Sequence, residues 1–288
     1  MENKIKCAII GAGYIGKRHA TLINENKDTE LVAFIDIRTC DECEIDTFNV
    51  PLFNTLDEFR LSNLEVDIIH ICTPNGLHGI HCLEALDLDK HVVCEKPMAL
   101  TKEDCERVMF KALEKSKHLF CVMQNRYSPP SKWLKSLMND NILGNIYIVQ
   151  INCYWNRDER YYKKGGWKGT NNIDGGTLFT QFSHFIDIMY WLFGDICNIQ
   201  GKFSDFVHQN MTDFEDSGIV NFEFKEGEID STLQQTPAFT VNGVGVDTLM
   251  ITDTSYIYYW DTLTSSIDST ISIPVEVVIF YTTQPTIP

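Results

Sequence analysis

Basic residues are scarce in this chain and stop early. Lys and Arg number 24 against 40 Asp and Glu, a formal charge of −16, and none follows Lys225 although eight acids do. A surface that acidic repels phosphate backbones and anionic headgroups, which excludes nucleic acid and anionic membrane as partners. Long apolar runs are missing too: no stretch approaches the roughly 20 residues of a membrane span. Met1-Glu2-Asn3-Lys4 leads directly into apolar sequence without the pattern of a signal peptide, so a cytoplasmic protein is expected. The ten cysteines stand mostly singly in apolar segments (Cys7, Cys72, Cys94, Cys121, Cys153), which in a reducing compartment predicts buried free thiols. Cys40-Asp41-Glu42-Cys43 has no second pair at zinc-ribbon spacing and reads as an acidic surface loop. His78, His81 and Cys82 fall where a crossover helix is expected and read as helix surface, so no metal is expected.

What is present points to two domains. With 288 residues, 44% of them hydrophobic, the chain can fill two cores. Lys4 to Ile10 reads as a buried strand, followed at once by Gly11-Ala12-Gly13-Tyr14-Ile15-Gly16 and a helical run from Lys17 to Asn26. In that context the glycines allow a tight turn, backbone approach to a pyrophosphate and close helix packing. A second strand, Glu30 to Ile37, carries Asp36, 20 positions after Gly16, where a carboxylate accepts hydrogen bonds from an adenosine ribose and repels a 2′-phosphate. NAD is therefore preferred to NADP, although Arg38 next to it could accommodate the phosphate.

Strand and helix then alternate: strand Val66 to Cys72, helix Leu77 to Leu86, strand His91 to Cys94, helix Thr101 to Lys117 capped by Thr101 with Asp104, strand Leu119 to Met123. The apolar strand His91-Val92-Val93-Cys94 ends abruptly in Glu95-Lys96-Pro97, which delivers charge to the carboxyl edge of a parallel sheet, where such folds keep their ligands. Proline restricts the residue before it, so the Lys96 ammonium is given a defined direction. Thr73-Pro74-Asn75 and Gln124-Asn125-Arg126-Tyr127 also follow strands and belong to the same rim.

The doubly wound pattern stops after Asn139. Ile146 to Trp155 alternates in the manner of an antiparallel strand with one covered face. Between Arg126 and Lys168 eight Lys or Arg face three acids, a basic segment suited to a doubly anionic ligand such as a nucleotide diphosphate. Trp155, Tyr161, Tyr162 and Trp167 interleave with these cations, either to stack on a base or to cover the sheet. Gly176 to Phe193 reads as one helix with an apolar stripe of Leu178, Phe182, Phe185, Met189 and Phe193, and His184 off its centre. The expected class is α/β: an N-terminal Rossmann domain with a doubly wound parallel sheet over residues 1–125, and a C-terminal α+β domain with an open, largely antiparallel sheet over 126–288.

Gly11 to Gly16, Cys72-Thr73-Pro74-Asn75 with His78, Glu95-Lys96-Pro97, and Asn125-Arg126-Tyr127 with Pro130 and Lys132 resemble the Gfo/Idh/MocA oxidoreductases. Trp155, Arg157, Tyr161-Tyr162, Gly166 to Thr170, Asp174-Gly175-Gly176 and Gln181 with His184 and Asp187 resemble its WlbA branch, and the likeness runs over roughly residues 1 to 225. It implies NAD-dependent oxidation of the 3-hydroxyl of UDP-N-acetylglucosaminuronate, on the way to surface-polysaccharide sugars, by a homo-oligomer of two or four chains. Lys96 and His184 are then catalytic. Cofactor contacts are implied for Gly11, Gly13, Tyr14, Ile15, Gly16, Asp36, Thr73, Asn75, His78, Glu95, Lys96, Asn125 and Trp167. Substrate contacts are implied for Lys96, Arg126, Tyr127, Lys132, Arg157, Tyr161, Lys168, Thr170, Asn172, Gln181 and His184. Two departures stand out. Thr180 occupies a place where the family often has an aspartate one turn before the histidine, and the family's C-terminal motifs do not appear after Lys225. The Ser- and Thr-rich tail still permits strands at Ser255 to Trp260 and Ile271 to Tyr281, but is expected to be divergent or frame-altered and poorly packed after about Asp230. The alternatives are a dehydrogenase of a free sugar or cyclitol, which the basic segment argues against, and a non-catalytic sensor of dinucleotide and sugar.

Overall fold

The structure is a computed structural model that describes residues 4–144, 146–154 and 157–225, and three later strands as backbone. The chain divides into two compact units, Met1–Val122 with Thr170–Thr180, and Met123–Gly169 with Gln181–Pro288.

In the first unit β1 (Ile5–Ile10), α1 (Tyr14–Glu25) and β2 (Thr29–Ile35) form the opening βαβ. They are followed by α2 (Cys40–Cys43), β3 (Leu52–Phe53), α3 (Leu56–Leu61), β4 (Ile68–Ile71), α4 (His78–Asp87), β5 (His91–Cys94), α5 (Lys102–Glu114) and β6 (Leu119–Cys121). All six strands are parallel, in the order β3-β2-β1-β4-β5-β6. Strand order reverses beside β1, the switch point at whose carboxyl ends ligands bind in such sheets. The strands read as continuous apolar runs because both faces are covered. Ala8, Ile10, Ile69, Ile71 and Val92 face one core, and Cys7, Ile9, Leu31 and Phe34 the other.

Thr101 caps α5 as expected, its hydroxyl accepting the Asp104 N–H. Two expectations need correction. The Cys40–Cys43 segment is a helical turn rather than a loop, because Thr39 and Glu42 close a reciprocal capping box, and Cys43 is buried. His78 and Cys82 are not helix surface: one turn apart on α4, they are buried with Ala85 and Leu86. The short elements β3 and α3 have too few residues to show a period in the sequence.

In the second unit α6 (Pro129–Asn139) precedes β7 (Ile146–Cys153). After α7 (Asn171–Asp174) and α8 (Thr177–Thr180), which belong to the first unit, come α9 (Ser183–Phe193), β8 (Ile196–Ser204), β9 (Ser217–Phe224), β10 (Ala238–Asn242), β11 (Ser255–Asp261) and β12 (Val275–Tyr281). The sheet order is β11-β12-β7-β10-β9-β8, with every pair antiparallel except β7 and β10. Val149, Ile151, Phe185, Met189, Leu192, Phe222 and Phe224 make its core. β11 and β12 lie where strands were expected; the expectation of a poorly packed tail, and Trp155, lie outside the described residues.

The single helix expected from Gly176 to Phe193 is interrupted at Gln181-Phe182. Just before the break the Thr180 carbonyl accepts from Lys96 Nζ at 2.6 Å, and α9 takes Phe182 as its N-cap.

Candidate active site

The first unit gathers an anion cradle and a half-buried cation on the carboxyl rim of its sheet. Gly11 has φ +97°, and a Cβ there would lie 2.6 Å from the Cys72 carbonyl oxygen, while one on Gly16 would lie 1.9 Å from the Gly11 oxygen. Both glycines are required by the turn itself. A Cβ on Gly13 would meet no protein atom within 4 Å; it would project into the space this motif keeps for a pyrophosphate. Gly13 is also the N-cap of α1, and no side chain caps that end. The positive dipole end of the helix lies at this turn, where it favours an anion. Tyr14 and Ile15, in the same turn, are exposed. These features fit a dinucleotide diphosphate.

Beyond β2 the Asp36 carboxylate accepts the Ala12 N–H at 2.7 Å, the Arg38 N–H at 3.0 Å and both arms of the Arg38 guanidinium. Burial alone would raise its pKa, but the hydrogen bonds from Arg38 and Ala12 outweigh that and hold it below the usual carboxylate range.

At the end of β5, Lys96 precedes a cis peptide bond to Pro97. Burial draws the pKa of its ammonium below the ordinary lysine value, while Glu95, Asp174 and Cys121 oppose the shift. Glu95 accepts the Lys96 N–H at 3.2 Å and is bonded to His19 Nε2 at 3.0 Å, and His19 in turn meets His70. Burial would raise the pKa of Glu95, yet the His19 bond and the neighbouring charges keep it low. His78 spends both ring nitrogens on backbone oxygens, Thr73 at 2.7 Å and Pro97 at 2.6 Å, so it ties the loop after β4 to the turn after Lys96. Thr73 Oγ1 is 3.0 Å from His81 Nδ1. The Asn75 amide donates to the Asp174 carbonyl and to Thr180 Oγ1, both at 2.8 Å. Thr180 donates in turn to the Asp174 carboxylate. An acid therefore stands beside Thr180 after all, supplied by α7 rather than by the preceding turn of the histidine's helix. Thr170 and the exposed Asn172 fall in this unit as well.

Asn125, Trp167 and most expected substrate contacts fall in the second unit. His184 is buried on α9, with its Nε2 3.3 Å from the Gln124 amide nitrogen. Arg126 is committed to a bidentate pair with Asp187. Lys132 lies over the exposed Tyr127 ring. Arg157, Tyr161, Lys168 and Gln181 come together: the Arg157 guanidinium lies 4.1 Å and the Lys168 ammonium 3.7 Å from the Tyr161 ring centre, and the Gln181 amide donates to the Tyr161 hydroxyl at 3.2 Å. Two cations on one aromatic ring, with a fixed amide, make a compact positive site able to hold phosphate or carboxylate. Trp167 is within 5.9 Å of Lys168. The sequence reading did not assign roles to Asp174, Thr180, His19 or His70. Asp174 had a signal in the Asp-Gly-Gly turn that follows it; the histidines had none, since the strand and helix that pair them are distant in sequence.

A doubly wound, glycine-turn domain followed by an α+β domain defines a dinucleotide-dependent oxidoreductase architecture. Residues 5–123 match the description "Oxidoreductase family, NAD-binding Rossmann fold" and residues 132–235 the "GFO/IDH/MocA C-terminal domain", and the chain belongs to the Gfo/Idh/MocA family. Glucose-6-phosphate 3-dehydrogenase of Bacillus subtilis is 35% identical over 191 residues, 65% of this chain and 53% of that protein. Among solved structures, the WlbA dehydrogenase of Chromobacterium violaceum, in complex with NADH and UDP-GlcNAcA, is 30% identical with TM-score 0.75 over 84% of this chain and 68% of that one. The WlbA dehydrogenase of Bordetella pertussis, in complex with the same two ligands, is 27% identical with TM-score 0.75, covering 84% and 67%. The chain spans about half the length of the curated relatives it matches.

Proposed function

We propose that this chain is the dinucleotide-binding and substrate-binding part of an NAD-dependent sugar dehydrogenase that oxidises the 3-hydroxyl of UDP-N-acetylglucosaminuronate. The observation that carries the reading is the half-buried Lys96 ammonium, fixed on the Thr180 carbonyl, on the same sheet edge as the open Gly13 cradle. Gly11, Gly13, Gly16 and the first turn of α1 would hold the NAD diphosphate, and Asp36 the adenosine ribose. Bound NAD supplies the hydride acceptor.

Oxidising a secondary alcohol also removes the hydroxyl proton, so the chain must provide a base and a partner for the developing oxyanion. The base is assigned to His184, an imidazole of the type that exchanges protons near neutrality. Lys96 is assigned to the oxyanion, a charge stabilised most strongly where water is excluded. Arg157, Lys168 and Tyr161 are assigned to the anionic part of the substrate. The WlbA likeness favours a UDP-sugar, and the 35% identity to glucose-6-phosphate 3-dehydrogenase favours a simple sugar phosphate; both carry phosphate and are oxidised at a ring hydroxyl. Steady-state assays with NAD on UDP-N-acetylglucosaminuronate, glucose 6-phosphate and myo-inositol separate the readings. The UDP-sugar should give the highest kcat/KM, and faster turnover of the uncharged cyclitol would refute an anionic substrate.

A further inference from the structure

The loop that carries Arg157, Tyr161 and Lys168 is fastened to the turn between β8 and β9. His208 directs Nε2 at the Arg157 carbonyl oxygen and Nδ1 at Asp216 Oδ2, 2.8 Å away. A carbonyl and a carboxylate only accept, so the imidazolium, which donates from both nitrogens, is the form that satisfies both contacts, and the neighbouring Asp216 charge favours it here as the two neutral carbonyls around His78 do not. Asp216 is built as its counter-ion. It also accepts the N–H groups of Phe206, Val207 and His208 and the Ser217 hydroxyl, and Asp205 takes the His208 N–H at 2.9 Å. The two side chains of the pair are 12% and 8% exposed, which shields them from water and salt. Further along the loop, the Asp213 N–H donates to the Gly169 carbonyl at 2.8 Å, and Tyr162 packs edge-on against His208 and Phe214.

We propose that the His208–Asp216 ion pair is a positioning device for substrate: protonated His208 holds the Arg157 carbonyl, keeps the guanidinium over Tyr161, and thereby sets affinity for an anionic sugar without touching the reacting groups. The proposal rests on the reading that Arg157, Tyr161 and Lys168 bind the substrate's anionic groups. A metal held by Asp205, His208 and Asp216, whose ligand atoms lie within 4.8 Å of one another, is the lesser reading, because both His208 nitrogens already face protein acceptors and offer no lone pair.

The clamp has a definite pH range. Burial lowers the His208 pKa, but the bonds to the Arg157 carbonyl and Asp216, with the charges of Asp216 and Asp205, bring it above the ordinary histidine value. Burial raises the Asp216 pKa, while its bonds from Val207, His208, Phe206 and Ser217 pull it far below. Both members are therefore charged from above the ordinary carboxylate pKa of about 4 to beyond the histidine value of about 6.5. As pH rises through the raised His208 pKa, the clamp releases.

The test uses the whole chain and His208→Leu. Expected are a KM for UDP-N-acetylglucosaminuronate raised about tenfold, the scale of one charge-assisted hydrogen bond, with kcat within twofold and NAD affinity unchanged. Hydrogen exchange over residues 157–169 should quicken while β1 and β4 keep their protection. The wild-type KM should rise with pH through the His208 titration, and the variant's should stay flat. If His208→Leu does not fold, His208→Gln, which keeps one donor, should show the same changes at reduced size. Unchanged KM and unchanged exchange in a folded variant that turns over normally would overturn the proposal and leave the proposed substrate standing. A wild type inactive on every anionic sugar, with exchange over 157–169 still responsive to His208, would support the clamp and sink the assigned substrate.

Discussion

Lys96 is a half-buried cation and His184 a buried imidazole, and the proposed chemistry asks opposite things of them. The base must be neutral and the oxyanion partner charged, so turnover should follow a bell in pH, with its acid limb set by His184 and its alkaline limb by Lys96. Because burial lowers the Lys96 pKa, that alkaline limb should begin below the ordinary lysine value of about 10.4. His184→Asn should reduce kcat by roughly 10²–10⁴ and erase the acid limb, whereas Lys96→Met should impair the hydride step; NAD affinity measured by calorimetry should survive both. Parent turnover with an unaltered pH profile in His184→Asn would make that residue structural. Asp36 supports a second expectation. Its carboxylate would repel a 2′-phosphate, yet it also occupies the Arg38 guanidinium. Wild type should bind NAD more tightly than NADP, and Asp36→Gly should narrow or reverse the preference by freeing Arg38 for phosphate. Equal binding of both dinucleotides by the wild-type chain would count against the role of Asp36.

Within the turn that joins β1 to α1, three glycines share a motif but not a reason. Gly16→Ala places a methyl group 1.9 Å from the Gly11 carbonyl oxygen, so the turn must move, at a cost of about 1–3 kcal/mol or more in stability. Gly13→Ala meets nothing within 4 Å and has φ −76°, which alanine adopts freely. Its melting temperature should stay near wild type while NAD binding weakens at least tenfold, the mark of a glycine kept for a ligand. Thermal unfolding and calorimetry on the two variants check this, and a Gly13→Ala protein that binds NAD normally would remove the cradle assignment. The broken helix at Gln181-Phe182 belongs to this scale too: just before the break the Thr180 carbonyl accepts from Lys96 Nζ and helps fix the ammonium.

The molecule as a whole carries −16 charge, and its described residues bury apolar side chains on both faces of the first unit's sheet and, separately, in the second unit. NAD at 100 times its Kd should stabilise the Rossmann unit by about 2.7 kcal/mol. Calorimetry should register that as a rise in one unfolding transition while the transition of the second core stays in place, and no rise with saturating NAD would refute dinucleotide binding.

The parallel sheet, the glycine turn, the Thr101 cap and the charge at the end of β5 were legible in the sequence because each rests on neighbours within a few positions: apolar runs, fixed offsets, a proline after a lysine. Contacts between distant segments were not. Nothing in the spacing of His19, His70 and Glu95, of Asn75, Asp174 and Thr180, or of Arg157, His208 and Asp216 announces that each set converges. Local periodicity also reads α8 and α9 as one helix, because an apolar stripe continues unchanged across the break at Gln181-Phe182. The sequence alone thus determined the architecture and which residue types stand on the rim. Only the tertiary structure decided which charges are spent on protein partners, as with Arg126 on Asp187, and which are gathered into a site, since pairing depends on distances that chain order does not encode.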